Sequence, residues 1–382
     1  DAMPVEQHGR VRNAFKVALA KGRWEGNVEI FMPFEQAVYK GVLQTHGQGD
    51  DLVFSWTAKD ATALSRAKYE QACLAELTPL AIPLSSEEFR AQLAKQLELG
   101  GLIDVTLDLE DGASVGSESV QTRLFGDILA SERNRFGRIG VRVHDPEHAH
   151  FQADIEQVLQ SGKRAPAYWM VPKITGLAQA QRAIAIISAV HQQHAIPMTP
   201  IHMLIETHGA LHDVYDIAAL PEVESLSFGL MDFVSAHHGS IPANAMTSPG
   251  QFDHPMVAYA KLAISRACAA HGKVANHNVT TDYKTVGAAF ADARRARDEF
   301  GYLRMWSIHP NQMNEILNAF APDANELAFA AQLLLAAHSA NWGPIAFEHK
   351  LHDRASFRHY WLVLQRAHQC GKSIPASVQH WF

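Results

Sequence analysis

The stretch Arg138–Pro172, RIGVRVHDPEHAHFQADIEQVLQSGKRAPAYWMVP, reads as one strand–helix–strand unit. Its two ends, Arg138–His144 and Ala167–Pro172, are short apolar runs whose length and β-branched or aromatic content suit buried strands. Between them, Phe151–Gln160 spaces Phe151, Ile155, Val158 and Leu159 three or four residues apart, the period of a helix with one apolar face. A strand that reaches its neighbour through a helix returns to the same end of the sheet, so the two strands run parallel.

The alternation continues in both directions. Strands are expected at Pro79–Pro83, Ile103–Leu109, Arg138–His144, Ala167–Pro172, Ile201–Glu206, Ser225–Gly229, Lys273–Asn276 and Arg304–His309. Helices are expected between them at Ser86–Leu99, Ser117–Glu132, Phe151–Gln160, Leu177–Gln193, Asp213–Ala219, His254–His271 and Asp282–Glu299. Eight such units predict an α/β fold of the TIM (β/α)8 barrel type, with a catalytic domain over 79–320. The alternative is an open doubly wound sheet. That fold more often carries a glycine-rich phosphate turn after its first strand, and neither G-x-G-x-x-G nor G-x-x-x-x-G-K-[ST] occurs in the chain.

Residues 1–78 form an N-terminal extension with a basic amphipathic start (Arg10–Lys21), a strand-like NVEIFMPF (Asn27–Phe34) and a polar loop (Thr45–Asp51). NVEIFMPF is an alternative first barrel strand, but about 70 residues to the next one is long for a βα unit. Residues 321–382 are expected to form a C-terminal helical lid or oligomerisation segment. It holds helices at Asn325–His338 and Arg354–Cys370 around a Trp342–Pro344 break, and its tail SIPASVQHWF ends in bulky aromatic residues that dock on something, such as a neighbouring subunit.

The 382 residues are 47% hydrophobic and 19% charged, enough for a large core and unlike a disordered chain. A formal charge of −7 argues against nucleic acid or an anionic membrane as the main partner, since both reward a basic face. Cys73, Cys268 and Cys370 are odd in number and far apart, so neither a disulfide framework nor a zinc knuckle is expected, and a reducing, cytoplasmic setting fits. No apolar signal core opens the sequence and no run approaches the roughly 20 residues of a membrane span.

A barrel carries its chemistry at the C-terminal ends of its strands. That rim gathers Glu110 and Asp111 after the second strand, Arg142 in the third, Lys173 after the fourth, Glu206 ending the fifth, Asp232 past the sixth and His309 ending the eighth. Carboxylates crowded together repel one another unless a cation lies among them. Mg²⁺ takes one or two carboxylates plus waters and substrate oxygens, which suits Glu206 and Asp232 on adjacent strands. Any one of these acids is equally well explained as a helix cap or solvated loop residue; the set points to a cation. Arg142 suits a carboxylate or a developing oxyanion, or a buried ion pair with Asp108 or Asp111. The 22 histidines, His148, His150, His237 and His238 among them, show no H-E-x-x-H spacing, and no G-x-S-x-G elbow marks a serine nucleophile.

These motifs resemble those of the citrate lyase β-subunit-like enzymes, the HpcH/HpaI aldolase and malyl-CoA lyase superfamily. LDLEDGA (Leu107–Ala113) is similar to the family's LDLEDAV, VRVH (Val141–His144) to VRIN, VPK (Val171–Lys173) to LPK, and LIETHGAL (Leu204–Leu211) to IET-x-x-G-[VA]. FGLMD (Phe228–Asp232) is similar to FG-x-x-D and SIHPNQM (Ser307–Met313) to IHP-x-Q, in the same order and spacing across roughly 79–320. GPIAFEHKLHD (Gly343–Asp353) resembles the segment before the family's last helix.

The resemblance implies a homotrimeric or homohexameric TIM barrel that makes or breaks a carbon–carbon bond beside a thioester or 2-oxo acid. It implies Mg²⁺, or Mn²⁺, on Glu206 and Asp232. It implies Arg142 on the oxo acid, with Lys173, Gly229, Leu230 and Met231 also lining the substrate, and Glu110 and Asp111 supporting the metal and its waters. Asp353 is implied to act as acid or base from a lid over a neighbouring subunit's site; a helix cap explains it equally well. The expected reaction is cleavage of a 3-hydroxyacyl-CoA, of the malyl-, citramalyl- or citryl-CoA kind, with coenzyme A as part of the substrate. Departures from the pattern open alternatives. Leu77-Thr78 stands where an arginine is usual, Glu118 lies where a lysine is usual, and His144 replaces asparagine. Fewer basic groups for CoA phosphates leave room for a CoA-independent class II aldolase, a thioesterase on the same esters, or a catalytically idle homologue.

Overall fold

The computed structural model describes residues 24–32, 37–46, 53–63, 102–111 and 118–382. The expected strand Pro79–Pro83, the helix Ser86–Leu99 and the basic segment Arg10–Lys21 lie outside the described residues. The chain divides into two compact units, one of residues 1–94 and 111–121, the other of 95–110 and 122–382.

In the first unit β1 (Trp24–Met32), β2 (Ala37–His46) and β3 (Val53–Ala63) form an antiparallel meander in the order β1-β2-β3. β1 pairs with β2 from Trp24↔Thr45 to Met32↔Ala37, and the β2–β3 register shifts between Lys40 and Gly41, the mark of a bulge. Asn27–Met32 of NVEIFMPF therefore lie in a strand, as the composition suggests, but of this separate sheet. The reading of it as the first barrel strand is corrected.

In the second unit β4 (Val105–Asp108), β5 (Ile139–Arg142), β6 (Trp169–Val171), β7 (Ile201–Ile205), β8 (Val223–Phe228), β9 (Val274–His277) and β10 (Arg304–Met305) form one parallel sheet. They are hydrogen-bonded in the order β10-β9-β8-β7-β6-β5-β4. The order never reverses, whereas a doubly wound sheet turns back at a switch point. The doubly wound alternative is excluded.

The sheet also curls. Seven flat strands would hold β4 and β10 about 29 Å apart at the usual spacing of roughly 4.8 Å. Yet Arg304 of β10 makes an ion pair with Asp104, the residue ahead of β4. Inside the curl the Tyr168 hydroxyl hydrogen-bonds Thr106 Oγ1 at 2.6 Å, its ring stacks on His202 at 4.0 Å, and Met170 and Leu204 pack around it. Tyr168 crosses β5 to reach Thr106, and it can do so only over Gly140, where a Cβ would lie 2.3 Å from its ring.

Alternate residues turn to the helices. Val105, Leu107, Val141, Trp169 and Met203 are buried, and the Trp169 indole N–H donates to His191 of the helix Leu177–Gln193 at 2.8 Å. Burying each such side chain stabilises the fold by about 1.5–3 kcal/mol. The observed helices Glu118–Ala130, Phe151–Gly162, Val214–Ala219, Pro255–His271 and Ala288–Phe300 answer to expected ones. Pro310–Phe320 was not among the expected helices; His309 caps it and Pro310 occupies its first turn, where a missing N–H costs nothing.

Past the sheet, helices Ala324–Ser339 and Arg354–Gln369 enclose Leu327, Leu334, Phe357, Leu364 and Val378. A hairpin of β11 (Ile345–Phe347) and β12 (Lys350–His352) joins them. The aromatic tail docks within the chain: Phe382 stacks on Trp361 at 5.2 Å and Trp381 lies 6.2 Å from it. No helix among the described residues is long and apolar enough to cross a membrane.

Candidate active site

The strand ends bring five of the expected residues into one electrostatic network. Asp108 and Arg142 are register partners on β4 and β5, so their side chains fall side by side on the inner face. Arg142 grips Asp108 with both fork arms, Nε to Oδ1 at 2.7 Å and Nη2 to Oδ2 at 2.5 Å, and its Nη1 lies 3.0 Å from Glu110 Oε2. The guanidinium also sits over the Trp306 ring, 5.6 Å from its centre. The alternative reading of Arg142 as a partner of Asp108 is thus observed, and the same arginine reaches Glu110.

Glu110, its side chain 6% exposed, forms a second ion pair, with the Lys173 ammonium. Lys173 follows β6, occupies the left-handed region at φ 51° and donates its backbone N–H to Glu206 Oε1 at 2.7 Å. Glu206, just past β7, is 4% exposed. Burial pushes its carboxyl up to about 7; the Lys173 N–H and the Arg142 charge pull against that, while the charges of Asp232 and Glu110 push further up.

Gly229 and the next three residues complete the floor. Gly229 donates its N–H to Ile205 O at 3.1 Å, and a Cβ on it would meet Glu206 Oε2 at 2.2 Å. The glycine is what lets β8 pass beneath that carboxylate. Leu230 is buried, Met231 is 43% exposed, and Asp232 is half-buried in the first turn of the helix Leu230–Ser235. Asp111, next to Glu110, is exposed.

Two expected residues have structural employment. His309 accepts from the Asn311 N–H at 3.2 Å as a helix cap and stacks on Tyr283. Asp353 accepts from the Ala355 N–H at 2.9 Å in a capping box with Ser356, at the start of Arg354–Gln369. Sequence reasoning missed Trp306, the apolar lid of Arg142, although an aromatic residue inside a candidate strand was a visible signal. It also missed the His144 Nδ1–Asp154 contact at 2.6 Å, because Asp154 comes from the following helix.

Asp108, Glu110, Glu206 and Asp232 set four carboxylates against two cations, Arg142 and Lys173, a formal excess of two negative charges. A glutamate pushed up first by burial and further by its acidic neighbours, and cradled on a glycine, fits a hard cation with oxygen ligands. Among the described residues no three histidine, cysteine or acidic side chains form an all-protein metal cage. Glu206 and Asp232 could hold such an ion together with oxygens from other molecules.

The chain resembles several known proteins. A malyl-CoA/β-methylmalyl-CoA/citramalyl-CoA lyase of Chloroflexus aurantiacus is 26% identical over 323 residues, covering 78% of this chain and 89% of its own. A citrate lyase of Burkholderia xenovorans LB400 is 53% identical, and its crystal structure matches with a TM-score of 0.70 over 76% of this chain and 91% of its own. The CitE protein of Mycobacterium tuberculosis, solved with magnesium, acetoacetate and coenzyme A, is 24% identical with a TM-score of 0.57, covering 73% and 95%. That last likeness bears on the fold alone. The HpcH/HpaI aldolase/citrate lyase family matches residues 85–310, more than half of the chain, and the protein is an enzyme of that family.

Proposed function

We propose that the enzyme is a Mg²⁺-dependent carbon–carbon lyase that cleaves, or forms, a 3-hydroxyacyl-CoA of the malyl-, citramalyl- or citryl-CoA kind. The products of cleavage are an acyl-CoA and a 2-oxo acid. The observation that carries this reading is Glu206: a buried carboxylate, surrounded by like charge and fixed by Lys173 and Gly229. The named lyase activity of the Chloroflexus relative supports the CoA ester as substrate.

Glu206 and Asp232 would hold the metal, which when bound polarises the oxygen of the substrate's hydroxyl or carbonyl group. Cleavage passes the hydroxyl proton to water, sends the carbon–carbon bonding pair into the thioester as an enolate, and leaves a carbonyl on the oxo acid. Arg142 offsets negative charge on the oxo acid, Glu110 and Asp111 order the water around it, and Met231 with Leu230 lines the pocket. Asp353 returns a proton to the enolate once the C-terminal segment covers a site, in a homotrimer or homohexamer. The curled parallel sheet belongs to a full (β/α)8 barrel.

The test is to mix the purified enzyme with acetyl-CoA or propionyl-CoA and glyoxylate, pyruvate or oxaloacetate, with and without Mg²⁺, following thioester products by mass. Mg²⁺-dependent condensation is expected. Oxo-acid binding without CoA binding turns the assignment to a CoA-independent aldolase, and the absence of any Mg²⁺-dependent oxo-acid binding overturns the lyase reading.

A further inference from the structure

Lys173 contributes two groups to the site, its backbone amide and its side-chain ammonium. Its backbone N–H meets Glu206 Oε1 at 2.7 Å, and its side-chain ammonium meets Glu110, which in turn lies 3.0 Å from Arg142 Nη1. With the amide on Glu206, an extended or right-handed φ would send the side chain and the onward chain in other directions. The left-handed conformation, φ 51°, is sparsely populated for any residue with a Cβ, and such strain persists only where surrounding structure fixes it. Here the flanking Val171 and Ile174 are fully buried, so the turn is anchored on both sides.

Glu206 is held from its other side as well. A Cβ at Gly229 would meet Oε2 at 2.2 Å, so the carboxylate lies between the Lys173 amide and the Gly229 backbone. A buried carboxylate with both oxygens confined has one orientation, which is what a metal ligand needs from its supporting groups.

We propose that Lys173 is a positioning residue: its left-handed backbone lets one residue present its main-chain N–H to Glu206 and its ammonium to Glu110, beside Arg142. One turn thereby sets two carboxylates of the site. The inference rests on the reading of Glu206 as a Mg²⁺ ligand.

Its test uses a set of variants that all lack the ammonium but differ in tolerance of the left-handed region: Lys173→Gly, Lys173→Asn, Lys173→Ala and Lys173→Val. Mn²⁺ affinity is read by electron paramagnetic resonance, with thermal melts to confirm folding. Glycine and asparagine variants should bind within about threefold of each other, and the valine variant at least tenfold more weakly. Should the valine variant not fold, alanine against asparagine carries the same comparison. Equal affinity across the set overturns the backbone role. For the ammonium, Lys173→Gly should lose tenfold or more in kcat, of which Lys173→Arg recovers part; a glycine variant with unchanged kcat removes that half.

A metal-free measurement separates this inference from the Mg²⁺ reading. The Lys173 amide should exchange slowly with solvent, and Glu206→Ala should speed it at least tenfold. If the parent protein fails to bind Mn²⁺, the metal reading falls, and the exchange rate still decides whether Lys173 positions Glu206.

Discussion

Arg304 and Asp104 form an ion pair between the two ends of the strand order, although 200 residues separate them in the chain. Asp104 also receives Arg138 Nη1 at 3.3 Å, so one partly buried carboxylate serves two arginines. Removing the aspartate strands both cations, whereas removing Arg304 leaves the Arg138 contact. Asp104→Ala should therefore cost about 1–2 kcal/mol and Arg304→Met about 0.5–1 kcal/mol. Urea unfolding checks this as a lower midpoint at unchanged slope, and an Asp104 variant as stable as the parent would contradict the shared role.

Gly229→Ala asks whether the floor beneath Glu206 is as tight as its geometry indicates. The added methyl would stand 2.2 Å from Oε2, so the carboxylate must turn away from its place. Mg²⁺-dependent turnover should fall at least 100-fold, with the melting temperature shifted by only a few degrees. Activity within threefold of the parent would show that Glu206 has room to move.

Glu206 gives the site a pH dependence of known sign. Its carboxyl, pushed up to about 7 from the ordinary 4.5, binds its proton more tightly in the folded protein than in the unfolded chain. Its contribution to stability is thus complete below about pH 4.5, shrinks as pH rises and is lost above about 7, a change on the order of 3 kcal/mol. Metal binding runs the other way, because only the ionised carboxylate ligates. Metal-free protein should lose melting temperature between pH 5.5 and 8 relative to Glu206→Gln, and saturating Mg²⁺ should erase the loss. Parallel calorimetric profiles for the two proteins would remove the basis for this expectation.

Arg142→Lys keeps the charge but not the fork that grips Asp108 through two bonds while reaching Glu110. A drop in kcat of about 10²–10³ is expected, with little change in Mg²⁺ affinity. Steady-state kinetics together with metal titration resolves the two effects, and a raised KM at unchanged kcat would make Arg142 a simple binding group.

Much of the second unit was legible because its strands and helices announce themselves by period. Leu177–Gln193 falls where its apolar spacing put it, and Ile201–Ile205 lies within the expected run. The meander was legible only at β1. β2 and β3 contain Lys40, Gln44, Lys59 and Asp60 among apolar residues and lack the continuous buried run of a parallel strand. Rim positions were readable from strand ends, which is how Glu110, Arg142, Lys173 and Glu206 were found. What period cannot convey is which rim residues bond to which. The Arg142–Asp108 grip depends on strand register, and the Lys173 amide depends on a backbone angle, neither of which leaves a mark in composition.

The Asp104–Arg304 pair also sets a kinetic order for the molecule. A contact across 200 residues pays its loop-closure entropy only after the intervening strand–helix units have packed and shortened the effective loop. Closure is therefore a late folding event, and the strands at the two ends of the order spend the longest time available to other chains. Substitutions at Asp104 and Arg304 should accelerate unfolding far more than they slow folding, so this pair governs how long the folded molecule survives rather than how quickly it forms.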